Sequence, residues 1–209
     1  MMRGRLLLGK FGPALAATWL LLTIGGGAAG CRSAAPGAVP PALALRDLAG
    51  QTVNPFAAAP IGTRGWVFIF LRPDCPIANR YAPELQRLHE EFAPAGLAFW
   101  MVYPDPDLTT AEIAQHVRDY HLPGVALRDP HHELVRRAGA TVTPEAAVFL
   151  PDGTQVYGGR IDDRYVDFGR ERPRANRREL ALVLTALSAG RKPDVPRERA
   201  VGCYIAPLP

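Results

Sequence analysis

The sequence predicts an α/β domain built on a central mixed β-sheet with helices on both faces. Three observations carry this. Two continuous apolar runs, Trp66–Leu71 (WVFIFL) and Leu97–Tyr103 (LAFWMVY), have the composition of strands buried on both sides. Stretches with helical apolar spacing stand between and after them. Further on, Ala146–Leu150 and Gln155–Ile161 flank the turn Pro151-Asp152-Gly153-Thr154 as the arms of a hairpin do. Strands that alternate with helices pack into one sheet covered on both faces.

The folded part begins at Leu43–Phe56, where a Gly-containing turn separates two short strand-like pieces. After the first apolar run, Arg72-Pro73-Asp74 breaks the strand and a helix follows. Its apolar positions are Ile77, Tyr81, Leu85, Leu88 and Phe92, spaced as one helix face. Pro76 suits its first turn, where no N–H bond is lost, and Pro83 inside it predicts a kink. Thr109 is the N-cap of the next helix, with Glu112 completing a capping box and Leu108 and Ile113 set as a hydrophobic staple. Val125–Leu127 reads as a short strand and His131–Ala138 as a short helix. Residues 162–176 read as polar and irregular. Arg177–Ser188 is a last helix with Leu180, Val183, Leu184 and Leu187 on one face and Gly190 behind it. The tail 191–209 is Pro-rich and carries Cys203.

The chain has 209 residues, 48% hydrophobic and 21% charged, which suits one packed domain plus a targeting segment. The net charge of +4 comes mostly from Arg3, Arg5 and Lys10. Without residues 1–30 there remain 21 basic and 20 acidic residues. A near-neutral domain offers phosphates no field, so no nucleic acid is expected as a partner, and clusters such as Arg136-Arg137 and Arg170 through Arg178 read as solvated faces.

Residues 1–30 run from a basic start through the apolar stretch Phe11–Ile24 to a small-residue end, the order of a secretory signal. Ala28-Ala29-Gly30-Cys31 resembles a bacterial lipobox, which implies cleavage before Cys31, a lipid on its sulfur and a membrane-anchored lipoprotein. An ordinary cleaved signal and an uncleaved anchor, since 11–30 is about membrane-spanning length, are the other two readings. All three export the domain to the cell envelope or periplasm. Residues 31–42 then hold the lipidated Cys and a Pro/Ala-rich tether, 43–190 the folded domain and 191–209 the tail.

The cysteines are Cys31, Cys75 and Cys203. There is no C-x-x-C, because Ala78 stands three residues after Cys75, and no C-x-x-C-H. Asn79 occupies the position where a two-cysteine copper site would need its second thiol, and His131-His132 read as surface residues. There is no P-loop, G-x-G-x-x-G or G-x-S-x-G. No metal and no cofactor are expected.

The strand WVFIFL, the segment Arg72-Pro73-Asp74-Cys75-Pro76 and the helix after it resemble the thioredoxin superfamily. More narrowly, they are similar to redoxin-domain proteins related to alkyl hydroperoxide reductase and thiol-specific antioxidant. Val142-Thr143-Pro144 resembles that family's cis-proline loop, and Gly159-Arg160-Ile161-Asp162-Asp163 and Gly202-Cys203-Tyr204-Ile205 also resemble the group. The likeness covers roughly residues 43–205 and implies a thioredoxin-like fold with Cys75 as a redox-active thiol.

At a strand-to-helix junction, unpaired N–H groups favour an anion on the sulfur, with Arg72 and Arg80 adding positive charge and Asp74 opposing them. The resemblance implies a cis Pro144, which sets the Thr143 backbone beside the sulfur, where it can pair with an extended substrate segment. Pro76, Thr143, Pro144 and Arg72 are thus the candidate substrate-binding residues. Two departures matter: Ala78 cannot resolve a mixed disulfide, and Arg72 stands where peroxiredoxins carry Thr. About 14 tail residues separate Gly190 from Cys203 and span roughly 45 Å if extended, so Cys203 reaches Cys75 as its partner or remains a spare thiol on a mobile tail. Three functions fit these residues. The first is an exported thiol–disulfide oxidoreductase using Cys75, with Cys203 or an external thiol resolving the product and an external electron donor. The second is a peroxide reductase in which Cys75 becomes a sulfenic acid. The third is a non-catalytic membrane-tethered binding module.

Overall fold

The structure is a computed structural model that describes residues 43–58 and 60–208. The expected signal segment 1–30, the lipidation at Cys31 and the tether 31–42 lie outside the described residues.

The elements follow one another as β1 (Leu45–Asp47), β2 (Thr52–Val53), α1 (Pro55–Ala58), β3 (Gly65–Phe70), α2 (Pro76–Arg80), α3 (Ala82–Phe92), a 3-10 turn (Ala93–Ala95), β4 (Leu97–Tyr103), α4 (Thr110–Asp119), β5 (Val125–Arg128), α5 (Glu133–Ala138), β6 (Val142–Thr143), β7 (Glu145–Phe149), β8 (Gln155–Gly159), β9 (Tyr165–Asp167), β10 (Arg170–Glu171), α6 (Glu179–Ser188) and β11 (Cys203–Tyr204). Seven strands form one sheet in the order β2-β1-β5-β4-β3-β7-β8. β4 is parallel to both β3 and β5, whereas β7 runs antiparallel to β3 and β8. This is the thioredoxin-like mixed sheet that the sequence implies.

β3 shows why its sequence has no polar alternation. Val67, Ile69 and Leu71 pack on one face with Leu85, Leu88, Ile113, Leu180 and Leu184. Trp66, Phe68 and Phe70 pack on the other with Phe56, Leu134, Val135 and Phe149. Each such side chain contributes about 1.5–3 kcal/mol by leaving water. Phe56 meets the rings of Trp66, Phe68 and Phe149 at 5.2–5.5 Å, tying α1 to the sheet.

Three expectations are corrected. The helix expected to kink at Pro83 is two helices, α2 and α3, with Tyr81 between them. Proline lacks an N–H and its ring crowds the preceding turn, so Pro83 is accommodated in the first turn of a new helix. The stretch 162–176 is not wholly irregular: β9 and β10 pair there as a ribbon. His132 is buried instead of lying at the surface, and its Nε2 meets the Pro104 carbonyl at 3.0 Å. The Thr109–Glu112 capping box forms in full, with Glu112 N donating to Thr109 Oγ1 and Thr109 N to Glu112 Oε2.

Candidate functional site

The chain leaves β3 at Leu71, whose N–H donates to Val102 O at 2.8 Å, and crosses Arg72-Pro73-Asp74 to reach Cys75, the residue that caps α2. This crossing is pinned by side chains from two neighbouring elements. Asn79 Nδ2 donates to Pro73 O at 2.8 Å. Its Oδ1 lies 2.9 Å from His116 Nε2, and His116 Nδ1 lies 2.8 Å from the Tyr103 hydroxyl. Because the Asn79 amide N–H groups are engaged by Pro73 O and the Tyr120 hydroxyl, Nε2 is the donor and Nδ1 accepts from Tyr103. Burial holds the His116 imidazole below its ordinary value of 6.5, which agrees with that neutral form. Sequence reasoning gave Asn79, His116 and Tyr103 no role here; their only signal is polarity on otherwise apolar elements.

Cys75 is 0% exposed, and its S–H donates to the Thr143 carbonyl at 2.9 Å. The Thr143–Pro144 peptide is cis, and both residues are buried. The edge of β6 beside Cys75 is occupied by the protein itself. β11 pairs antiparallel with it, Cys203 opposite Thr143 and Tyr204 opposite Val142. Ile205 N donates to Thr141 O at 3.0 Å and Arg160 N to Glu198 O at 3.1 Å, while the Arg197 guanidinium reaches the Ala138 carbonyl at 3.1 Å. The tail bearing Cys203 is therefore fastened to the domain, which corrects the reading of that tail as mobile. The expected place for an extended substrate at Thr143 holds Tyr204 and Cys203.

Cys75 and Cys203 are both free thiols. Burial, then a hydrogen bond and charge from Cys75, push the Cys203 thiol up to about 12. Cys203 is partly exposed and borders a cavity of about 390 Å³ lined by Pro76, Ile77, Tyr165 and Phe168, with the Arg80–Glu171 ion pair (2.6 Å) at its side. The structure thus brings Cys75, Pro76, Thr143, Pro144 and Cys203 together.

The charges expected to help Cys75 are engaged elsewhere. Arg72 Nη2 pairs with Asp74 at 3.0 Å and Asp105 at 3.3 Å, and Arg80 pairs with Glu171. Arg160 pairs at 2.5 Å with Glu179, which is fully buried. Among the described residues, no group of three or more His, Cys, Asp or Glu side chains is placed to hold a metal ion.

A family model described as the AhpC/TSA family matches residues 36–157. No curated protein matches the sequence. Among solved structures, an uncharacterized conserved protein from Geobacillus kaustophilus is 23% identical with a TM-score of 0.68, over 83% of this chain and 92% of that one. A hypothetical protein from Sinorhizobium meliloti 1021 is 20% identical with a TM-score of 0.65, over 78% and 89%. MTB dsbF, in its mixed oxidized and reduced forms, is 19% identical with a TM-score of 0.51, over 69% and 94%. These likenesses share the fold.

Proposed function

The chain belongs to the AhpC/TSA family, and on that premise we propose that it is a thiol–disulfide oxidoreductase in which Cys75 and Cys203 form one redox couple. The observation that supports this most is the meeting of both cysteines at one residue. The Thr143 carbonyl accepts the Cys75 S–H, while the Thr143 backbone pairs with Cys203. The tail thereby stands in for the second cysteine that Ala78 denies to the helix.

In the exchange, the two protein thiols give two electrons and two protons to a substrate disulfide. The Cys75–Cys203 bond forms, the substrate S–S bond breaks and two substrate thiols leave. An external thiol reductant resets the couple, giving two electrons and two protons to the Cys75–Cys203 bond and leaving as a disulfide. The peroxide reading has less support, because the guanidinium groups of Arg72 and Arg160 are bound by carboxylates. The signal-like segment 1–30 ahead of Cys31 supports an exported, lipid-anchored enzyme, in a compartment where disulfides persist.

The test is catalysed reduction of a protein disulfide by the full chain in a thiol buffer, alongside Cys75→Ser, Cys203→Ser and the double variant. Wild type should exceed the double variant by at least about ten-fold, with each single variant near background. Equal rates for wild type and the double variant would overturn the reading.

A further inference from the structure

We infer that Cys203, not Cys75, is the sulfur that exchanges with the external partner, and that the partner's sulfur approaches it along the cleft between the start of α2 and the β9–β10 ribbon. This rests on the proposed Cys75–Cys203 couple and assigns its order of events.

Access decides the order. Cys75 is 0% exposed and lies behind Thr143 on one side and the tail on the other. A partner strand cannot reach it by pairing with β6, because β11 already holds that edge. Nor does the tail hang by one contact. Backbone bonds join Ile205 to Thr141 and Arg160 to Glu198, Arg197 binds the carbonyls of Ala138 and Gly139, and Ala200 and Gly202 are buried. At Gly202 the tail passes so close to the Thr143 carbonyl that a Cβ would overlap it. Cys203, by contrast, is partly exposed and opens onto the cleft of about 390 Å³. Pro76, Ile77 and Phe168 give that cleft apolar walls, and the charges of Arg80 and Glu171 neutralise each other. The chemical class that suits the cleft is a cysteine in a segment with apolar neighbours.

The exchange starts from the oxidised couple. The partner thiolate attacks Cys203 Sγ, forming a partner–Cys203 disulfide and breaking the Cys75–Cys203 bond. Cys75 leaves with the electron pair and takes up the proton released by the partner thiol. It then donates that proton to Thr143 O, the bond present in this structure. A second partner thiolate attacks the partner's sulfur in the mixed disulfide. The partner leaves oxidised by two electrons, and Cys203 returns as a thiol.

The experiment has two arms. In the first, the oxidised full chain is treated with 2-mercaptoethanol, freed thiols are trapped with N-ethylmaleimide in acid, and peptides are mapped. The adduct should lie on Cys203 and the maleimide on Cys75, by at least about ten to one. In the second, Cys75→Ser and Cys203→Ser are each loaded with thionitrobenzoate on the remaining cysteine, and its release by 2-mercaptoethanol is timed. Release from Cys203 should be at least about ten-fold faster. Adducts chiefly on Cys75, or faster release from Cys75, would overturn the order. Failure of the wild type to form a Cys75–Cys203 disulfide at all would instead sink the couple, and the second arm still decides which sulfur is reached.

Discussion

Cys203 stands directly opposite Thr143 in the β6–β11 pair, and the carbonyl of that same Thr143 accepts the S–H of Cys75 at 2.9 Å. One residue thus bonds the Cys75 sulfur and pairs with the Cys203 backbone, and Gly202 makes the close passage possible. Gly202→Ala would drive a methyl into the Thr143 carbonyl. Overpacking of this kind costs about 1–3 kcal/mol, and the tail can relieve it by leaving β6. We expect Cys75 in the reduced protein to alkylate at least about ten-fold faster than in wild type, as buried thiols do on exposure. Timed iodoacetamide labelling with peptide mapping checks this. Unchanged labelling of Cys75 would mean that the tail does not shield it.

The Cys203 thiol is pushed up to about 12 by burial first and by Cys75 second. At neutral pH the reduced tail therefore carries a thiol, and its alkylation should keep rising beyond pH 10. Cys75→Ala removes the second cause and keeps the first. The midpoint of the labelling curve should then fall while staying above the ordinary thiol range near 8.5. A midpoint at the ordinary value in both proteins would contradict the packing described around Cys203.

The sheet was legible because its signals are local and repeated. WVFIFL and LAFWMVY have side chains buried on both faces, and Thr109 with Glu112 marks a helix start by two reciprocal bonds. Cys75, Pro76, Thr143 and Pro144 could be singled out through their resemblance to a family. The tail strand could not, because β11 is two residues long and its partner lies about 60 positions away in sequence. The β9–β10 ribbon was hidden for a related reason. Its strands span three and two residues, and Val166 and Phe168 remain exposed, so no apolar alternation marks them. The neutralised charges of Arg72 and Arg80 were invisible as well. Asp105 and Glu171 come from other elements, and charge counts along the chain say nothing about such pairs.

His116 links Tyr103 to Asn79 and so to the loop before Cys75. Its folded-state value is depressed by burial, so the unfolded chain binds a proton near pH 6.5 that the folded protein refuses. In that window the unfolded state holds more protons, and stability falls as pH drops. The contribution is full above about pH 6.5 and is lost toward the lower folded-state value, at up to about 1.4 kcal/mol per pH unit. Urea midpoints of wild type at pH 7.5 and 5.5 should differ in that direction, and His116→Gln should flatten the difference. A slope that persists unchanged in His116→Gln would assign it to another group.

Glu179 is fully buried at the start of α6, and its Oε1 accepts from Arg160 Nη2 at 2.5 Å. Arg160 also ties down the tail, since its backbone N–H donates to Glu198 O. Glu179→Ala would leave the guanidinium without its carboxylate beside the tail. Removing one partner of a buried pair costs about 3–5 kcal/mol. Because the Arg160 side chain is 25% exposed, water compensates in part, and a loss of about 2–3 kcal/mol is expected. The second consequence is local. If Arg160 orders the tail, Cys75 labelling should accelerate in Glu179→Ala under conditions where the rest of the domain is still folded by circular dichroism. A loss of global stability without faster Cys75 labelling would show that the Arg160–Glu179 pair supports the sheet and helix packing, and that the tail is held by its backbone pairing with β6 alone.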